Sequence, residues 1–563
     1  MPIFKNLLRA AQAMPALALS ALLWMAAAPA AAGTCENLVV NLGLSGITVS
    51  AATTVPGPSF TAPDGVTYTN VPSFCKVSAV LTPTSDSFIN VELWMPTSTW
   101  NGRFEGVGNG GYAGTIALGV PAMVQGLQWG FSVATTDMGT APSSNNDGDA
   151  LVGHPEKWTD FGWRATHLMT TTAKQIMQTF YGSGPQYSYF NGCSTGGEQA
   201  HMEAQRFPDD YNGILGGDPA NNRTHAHTAI LNNYRAMHAT PQSLFTSSQA
   251  QAVTNAVVAA CVAGSGGVAS DPFLTDPRTC NWDPAALQCT GADTGSCLTP
   301  DQVQAARTMY SGAHDPVTGH LIFAGSVRGS ESDGQFGWTG IGGQPEVPFG
   351  SVFKWAFGPT FTYLNFNFDS DMAAMDTLLA PNLNANSTDL SAFAKRGGKM
   401  IMYHGWADPL VSPQESIDYY QRLVAAQGNN GSAAARQTQN FYRLFMVPGM
   451  AHCAFGPGPN AFGNRFSGQV YAAPPAAADP QHDIFLALQQ WVEKGIAPTR
   501  VIATKFANDV PQTGVVMTRP LCVYPQVAKY SGSGDVNDAA NFVCAPAPGS
   551  NDPAQMPAAE YLN

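Results

Sequence analysis

Apolar and polar positions along the chain follow two periods. Phe88-Ile-Asn-Val-Glu-Leu-Trp-Met95 alternates residue by residue and predicts a half-buried strand, with Trp100-Asn-Gly-Arg103 as a turn. Gly106-Val-Gly-Asn-Gly-Gly-Tyr-Ala-Gly114 is a glycine-rich loop, and Phe131-Ser-Val-Ala-Thr-Thr-Asp137 predicts another strand, so residues 88–140 read as strand, loop, strand. From Ala165 to Phe180 the spacing becomes helical, with Leu168, Met169, Ile176, Met177 and Phe180 on one face. Ser188-Tyr-Phe190 is a short strand. After Gly192-Cys-Ser-Thr-Gly-Gly197 a helix runs through Met202 and Ala204 and stops at Phe207, because the residue before Pro208 is pushed out of the helical region. Lys399-Met-Ile-Met-Tyr403 and Phe441-Tyr-Arg-Leu-Phe-Met-Val447 predict buried strands, and Ile484-Phe-Leu-Ala-Leu-Gln-Gln-Trp-Val492 an amphipathic helix.

Strands alternating with helices imply an α/β fold with a mostly parallel sheet. Residues 222–394 break the pattern with many Gly, Pro and aromatic residues, and read as a large lid inserted over the carboxyl ends of the strands. The sheet is then shared between residues 33–221 and 395–563. Residues 1–32 carry Lys5 and Arg9, an apolar run from Met14 to Met25 and small residues from Ala26 to Ala32, the pattern of a cleaved signal peptide. The expected mature protein is secreted or periplasmic, with no membrane attachment after cleavage.

Composition narrows the partners. Of 563 residues 44% are hydrophobic and only 12% charged, and the net charge is −13, so there is no basic surplus to displace counterions from nucleic acid. In an oxidising compartment the ten cysteines favour disulfides. Local spacing suggests Cys35–Cys75, Cys261–Cys280, Cys289–Cys297 and Cys522–Cys544, which leaves Cys193 and Cys453.

Gly192-Cys193-Ser194-Thr195-Gly196 matches G-x-S-x-G between a predicted strand and a predicted helix, where a serine sits on a tight turn as a nucleophile. A serine hydroxyl needs a base within hydrogen-bond reach. Among eleven histidines, His452 is singled out because Cys453 follows it as Cys193 precedes Ser194. A Cys193–Cys453 bond holds the two Cα atoms within about 4.4–6.8 Å and brings Ser194 and His452 side by side. Asp408, in His404-Gly-Trp-Ala-Asp-Pro409 just past a predicted strand, is the expected acid, and Ser194, Asp408, His452 is the α/β-hydrolase order. Asp137 and Asp218 are the acidic alternatives. The amides of Thr195 and Gly111 are the expected oxyanion donors.

These stretches resemble the tannase and feruloyl esterase family of α/β-hydrolases over nearly the whole mature chain. Trp100-Asn-Gly-Arg-Phe104, Gly192–Gly197, Glu203-Ala-Gln-Arg-Phe-Pro208, His404–Pro409 and Val447-Pro-Gly-Met-Ala-His-Cys453 carry the resemblance, and Thr518–Cys522 and Gly532–Asp535 extend it. Cysteine beside both serine and histidine is the family's hallmark. Among members the chain also resembles mono(2-hydroxyethyl) terephthalate hydrolases. The resemblance implies an α/β-hydrolase sheet with an inserted lid and a carboxylic ester hydrolase. Its small-molecule substrates would be esters of feruloyl, galloyl or mono(2-hydroxyethyl) terephthalate type. A secreted, non-catalytic binder of aromatic or carbohydrate ligands on the same fold is the alternative.

Two departures stand out. Family lids carry an aspartate-rich calcium loop between two cysteines, whereas Cys261 to Cys280 holds only Asp271 and Asp276, so no metal or other cofactor is expected. Glu198 stands where the family often has arginine. Phe336, Trp338, Phe349, Trp355, Phe357 and Phe361 make the lid aromatic. Trp338, with Val411 and Gly110, is the expected substrate contact. Between Gly329 and Phe393 there is no arginine, which leaves Arg328 as the nearest partner for a substrate carboxylate.

Overall fold

The computed structural model describes residues 34–39, 46–291, 295–428, 431–464 and 473–547. The expected leader, residues 1–32, lies outside the described residues. Nine strands build the central sheet: β1 (Ile47–Val55), β2 (Phe74–Leu81), β3 (Ile89–Pro96), β4 (Arg103–Val107), β5 (Ser132–Thr136), β6 (Tyr187–Cys193), β7 (Gly213–Gly217), β8 (Lys399–Gly405) and β9 (Tyr442–Val447). Their order across the sheet is β1-β2-β3-β5-β4-β6-β7-β8-β9. The first three strands and the β3–β5 pair are antiparallel, and every pair from β5 to β9 is parallel. Among the described residues, no strand of this sheet comes from the chain between Gly217 and Lys399.

Parallel strands are covered on both faces, and the residues alternate accordingly. Phe190, Met400, Met402 and Leu444 face one core, with the helices α2 (Ala165–Tyr181), α3 (Thr195–Arg206) and α5 (Gln414–Ala426). Tyr189, Leu215, Ile401, Tyr403 and Phe445 face the other, with α1 (Val120–Gln128) and α6 (Ile484–Lys494). The first core runs on into the lid through α4 (Arg223–Met237), whose Leu231 and Met237 belong to the same cluster as Val253 and Trp338. Asp483 starts α6 by accepting from the amides of Phe485 and Leu486, and Gly495 ends it at φ 70°.

Two expectations change. The strand at Phe88–Met95 is buried on both faces from Val91 onward, because its polar positions are satisfied inside: Glu92 accepts from Trp94 Nε1 at 2.7 Å and pairs with Lys76 at 3.0 Å, and Asn90 Nδ2 donates to Asp137 at 2.6 Å. Between the predicted turn and the glycine loop the chain also forms β4, clamped between β5 and β6. The five disulfides are Cys35–Cys75, Cys193–Cys453, Cys261–Cys280, Cys289–Cys297 and Cys522–Cys544.

Candidate active site

Ser194, Asp408 and His452 lie beyond the carboxyl ends of parallel strands, the side of an open α/β sheet where ligands bind. Ser194 follows β6 directly and holds φ 63°, ψ −116°. Side chains seldom adopt that conformation, and it costs of order 1–3 kcal/mol. The turn is possible only with glycines on either side, since a Cβ on Gly192 would lie 2.7 Å from Gly196 Cα. Its backbone is fully engaged, with the amide donating to Gly217 at 3.0 Å and the carbonyl accepting from Gly197 and Glu198.

His452 Nδ1 donates to Asp408 Oδ2 at 2.7 Å, while Asp408 Oδ1 accepts from the amides of Leu410 and Val411. His404 lies 3.3 Å from the same Asp408 Oδ2 and is itself held by Ser416 Oγ and the Val411 carbonyl. Burial works against the Asp408 carboxylate, but the charge of His452 and the hydrogen bonds from His404 and His452 outweigh it and hold its pKa well below the ordinary carboxylate range. For His452, burial opposes protonation while Asp408 more than offsets it, and the pKa is raised. The arrangement therefore keeps a fixed negative charge behind an imidazole whose Nε2 is buried and has no partner among the described residues. The Cys193–Cys453 bridge, with Cα atoms 6.0 Å apart, joins the residue before Ser194 to the residue after His452.

The two acidic alternatives do other work. Asp218 accepts from the Gly405 amide at 2.9 Å and braces the end of β8, and burial pushes its pKa up to about 7. Asp137 binds Asn90 and the Gly139 amide.

Gly111 has φ +53°, and a Cβ there would lie 1.8 Å from the Asn145 carbonyl oxygen, so only glycine fits. The Thr195 and Gly111 amides donate to no group among the described residues. A network unseen in the sequence ties these two segments together. Thr195 Oγ1 donates to the Gly111 carbonyl at 2.9 Å and accepts from Arg223 Nη2 at 2.9 Å. Arg223 Nε in turn donates to Glu198 Oε2 at 2.7 Å, in a pair buried on both sides. Burial pushes Glu198 up to about 7, with Arg223 opposing.

Ser194, Thr195 and Gly111 border a cavity whose apolar wall is Ala220, Ile230, Phe349, Leu410 and Val411, with Arg223 and His227 as its further polar lining. Arg223, Ala226, His227 and Ile230 recur at helical spacing on α4, a stripe that periodicity alone could have exposed. Trp338 is not among the lining residues. It is buried inside the lid between Phe245 and Tyr310, with ring centroids 4.6 and 5.5 Å away. Gly110 is absent from the lining too, its carbonyl closing a turn to the Ala113 amide. Phe336 reaches the site from the lid, edge-on to the His452 ring at 5.6 Å. Arg328 stays in the lid, donating to the Trp282 carbonyl and stacked 4.3 Å over Tyr310.

Both carboxylates of the Cys261–Cys280 loop are engaged by arginines. Asp271 is paired with Arg519 at 2.7 Å and Asp276 with Arg278 at 2.6 Å, so both carboxylates already face buried guanidinium groups.

The sequence profile of the family described as "Tannase and feruloyl esterase" matches residues 75–545. An esterase of Xanthomonas campestris is 38% identical over 94% of each chain. A protein named "Probable feruloyl esterase B-2" from Aspergillus flavus is 32% identical over 80% of this chain and 83% of its own. The crystal structure of feruloyl esterase B from Aspergillus oryzae superposes with a TM-score of 0.81 at 28% identity, covering 91% of this chain and 99% of the other. Tannin acyl hydrolase from Aspergillus niger, at 20% identity and a TM-score of 0.69, shares the fold over 90% and 92% of the two chains. With the α/β-hydrolase sheet and these relatives together, the chain belongs to the tannase and feruloyl esterase family and is a carboxylic ester hydrolase.

Proposed function

We propose that the protein is an exported serine esterase that hydrolyses esters of aromatic carboxylic acids through an acyl-enzyme. The observation that carries this reading is the 2.7 Å bond from His452 Nδ1 to Asp408, which leaves His452 Nε2 without a partner among the described residues, while the Cys193–Cys453 disulfide joins the chain neighbours of Ser194 and His452. Ser194 Oγ attacks the ester carbonyl carbon and His452 Nε2 takes its proton, with Asp408 stabilising the imidazolium. The Thr195 and Gly111 amides receive the charge that develops on the carbonyl oxygen. Collapse breaks the bond to the alcohol, which leaves with the proton from His452. Water, deprotonated by the same nitrogen, then splits the acyl-enzyme, releasing the acid and restoring the serine.

The largely apolar wall of the cavity beside Ser194 supports an aromatic acyl group, as does a relative named as a feruloyl esterase. Five disulfides support an oxidising destination, and no helix among the described residues is long and apolar enough to cross a membrane. In this reading residues 222–394 are a lid domain on a catalytic domain formed by 33–221 and 395–563, and no metal takes part.

The test is rapid-mixing kinetics with a p-nitrophenyl ester of an aromatic acid. A burst of p-nitrophenol stoichiometric with enzyme is expected, and Ser194→Ala should abolish it and lower turnover roughly 10³-fold or more. A Ser194→Ala enzyme that still bursts would overturn the mechanism.

A further inference from the structure

Two polar side chains of α4 line the cavity, and one of them is already committed. Arg223 spends Nε and Nη2 on Glu198 and Thr195. An arriving carboxylate therefore meets a guanidinium already paired with a buried glutamate. His227, one helical turn further on, differs.

His227 Nδ1 lies 3.0 Å from the Phe349 carbonyl oxygen. A carbonyl only accepts, so Nδ1 carries the proton. Burial, reinforced by the positive charge of Arg223, pushes the ring pKa down to about 3, so the imidazole is neutral near neutral pH. A neutral imidazole protonated on Nδ1 has a bare lone pair on Nε2. That nitrogen has no hydrogen-bond partner among the described residues. The ring cannot easily rotate to hide it, held as it is edge-on to Tyr112 at 6.2 Å and to Phe349 at 6.3 Å. Tyr112 is in turn anchored to the same Phe349 carbonyl through its hydroxyl at 2.6 Å.

Beside the apolar walls and the Arg223 guanidinium, the cavity thus holds a nitrogen that can only accept. Its complement is a flat ring bearing a neutral O–H donor. At this nitrogen a ring carboxylate would set acceptor against acceptor, and a methoxyl group has no proton to give.

We infer that His227 is a specificity-determining residue whose Nε2 accepts a hydrogen bond from a ring hydroxyl of the acyl group, so that the enzyme selects phenolic acyl esters over unsubstituted, O-methylated and carboxylated ones. This rests on the proposed aromatic acyl-enzyme. The selection arises because a site built around a hydrogen bond leaves a buried polar atom unpaired when the analogue lacks the donor.

The experiment compares kcat/KM on four methyl esters: 4-hydroxycinnamate, cinnamate, 4-methoxycinnamate and the monoester of terephthalic acid. Wild type should favour the 4-hydroxy ester by about 10-fold or more over each of the others. In His227→Phe the ratio of 4-hydroxycinnamate to cinnamate should fall towards one. In His227→Gln, which keeps an acceptor, part of the preference should return. In wild type the ratio should stay constant between pH 5 and 8, because the imidazole does not titrate there. Equal turnover of hydroxylated and plain esters by wild type, or an undiminished ratio in His227→Phe, overturns this assignment alone. No turnover of any of the four, with a p-nitrophenyl acetate burst intact, overturns it together with the aromatic-acyl reading.

Discussion

Thr195 Oγ1 donates a 2.9 Å hydrogen bond to the carbonyl of Gly111, so the residue after the nucleophile is fastened by its side chain to the strand-end loop that faces it. Both residues border the cavity beside Ser194, and neither amide has a partner among the described residues. Their spacing is therefore set by a side chain, and Arg223 and Glu198 hold that side chain from behind.

Thr195→Val keeps the shape and deletes the bond. It should lower kcat by about 10-fold or more with a smaller change in KM, because loosening an oxyanion donor acts mainly in the transition state. Thr195→Ser should restore most of the loss. Steady-state kinetics on the two variants decides: a Val variant with wild-type kcat would show that the bond does not set the geometry.

The Cys193–Cys453 bridge should matter to rate as well as stability. It closes a separation of 260 residues, which in the chain-entropy model constrains the unfolded state by about 5 kcal/mol. It also fixes the two segments that carry Ser194 and His452, and misplacement by about 1 Å can cost about 10²-fold in rate. Cys193→Ala/Cys453→Ala should lose activity at temperatures where circular dichroism shows it folded. Cys522→Ala/Cys544→Ala should melt earlier but turn over normally when folded. Equal kcat for the first variant and wild type would reduce the bridge to a stabilising link.

The pH profile follows from the sign at His452. As base it works unprotonated, and Asp408 raises its pKa above the ordinary value of about 6.5. Activity is therefore lost as pH falls through that raised value, and the acid limb of kcat/KM should have its midpoint above about 6.5. Asp408→Asn removes the charge that raises it, so the limb of the residual activity should move to lower pH. A wild-type midpoint below 6, or one unmoved by the substitution, contradicts the assignment.

Calcium should be dispensable. Asp271 and Asp276 are held by Arg519 and Arg278, and a cation would have to break both pairs. Dialysis against a strong chelator should leave Tm and activity unchanged. A drop of several degrees reversed by added calcium would place an ion in the lid.

Much of this chemistry was legible before any fold, because it is written in covalent neighbours. Ser194 lies in a glycine-flanked turn after a strand, and its neighbour Cys193 has a counterpart in Cys453 beside His452. Asp408 comes just past an apolar run that forms a buried strand. Each of these signals spans a few residues and needs only local chemistry or one disulfide. The parts that were not legible depend on partners far away in sequence. Gly213-Ile-Leu-Gly-Gly217 has the composition of a loop, yet it forms β7, paired on both sides inside the sheet. The glycines are required there because Tyr189 lies across Gly213, Met402 across Gly216 and Tyr403 across Gly217. Glu92 and Asn90 gave β3 a half-polar pattern, and only Lys76, Trp94 and Asp137 make their burial affordable. Trp338 had the right chemistry for a pocket, but the lid helices around Phe245 and Tyr310 claim it as core. Arg223 and His227 reach the cavity because the lid lays one face of α4 over the strand ends. Sequence alone determined the kind of sheet and nominated the residues proposed to react; tertiary packing decided what surrounds them, since burial and hydrogen-bond partners are properties of residues brought together from across the chain.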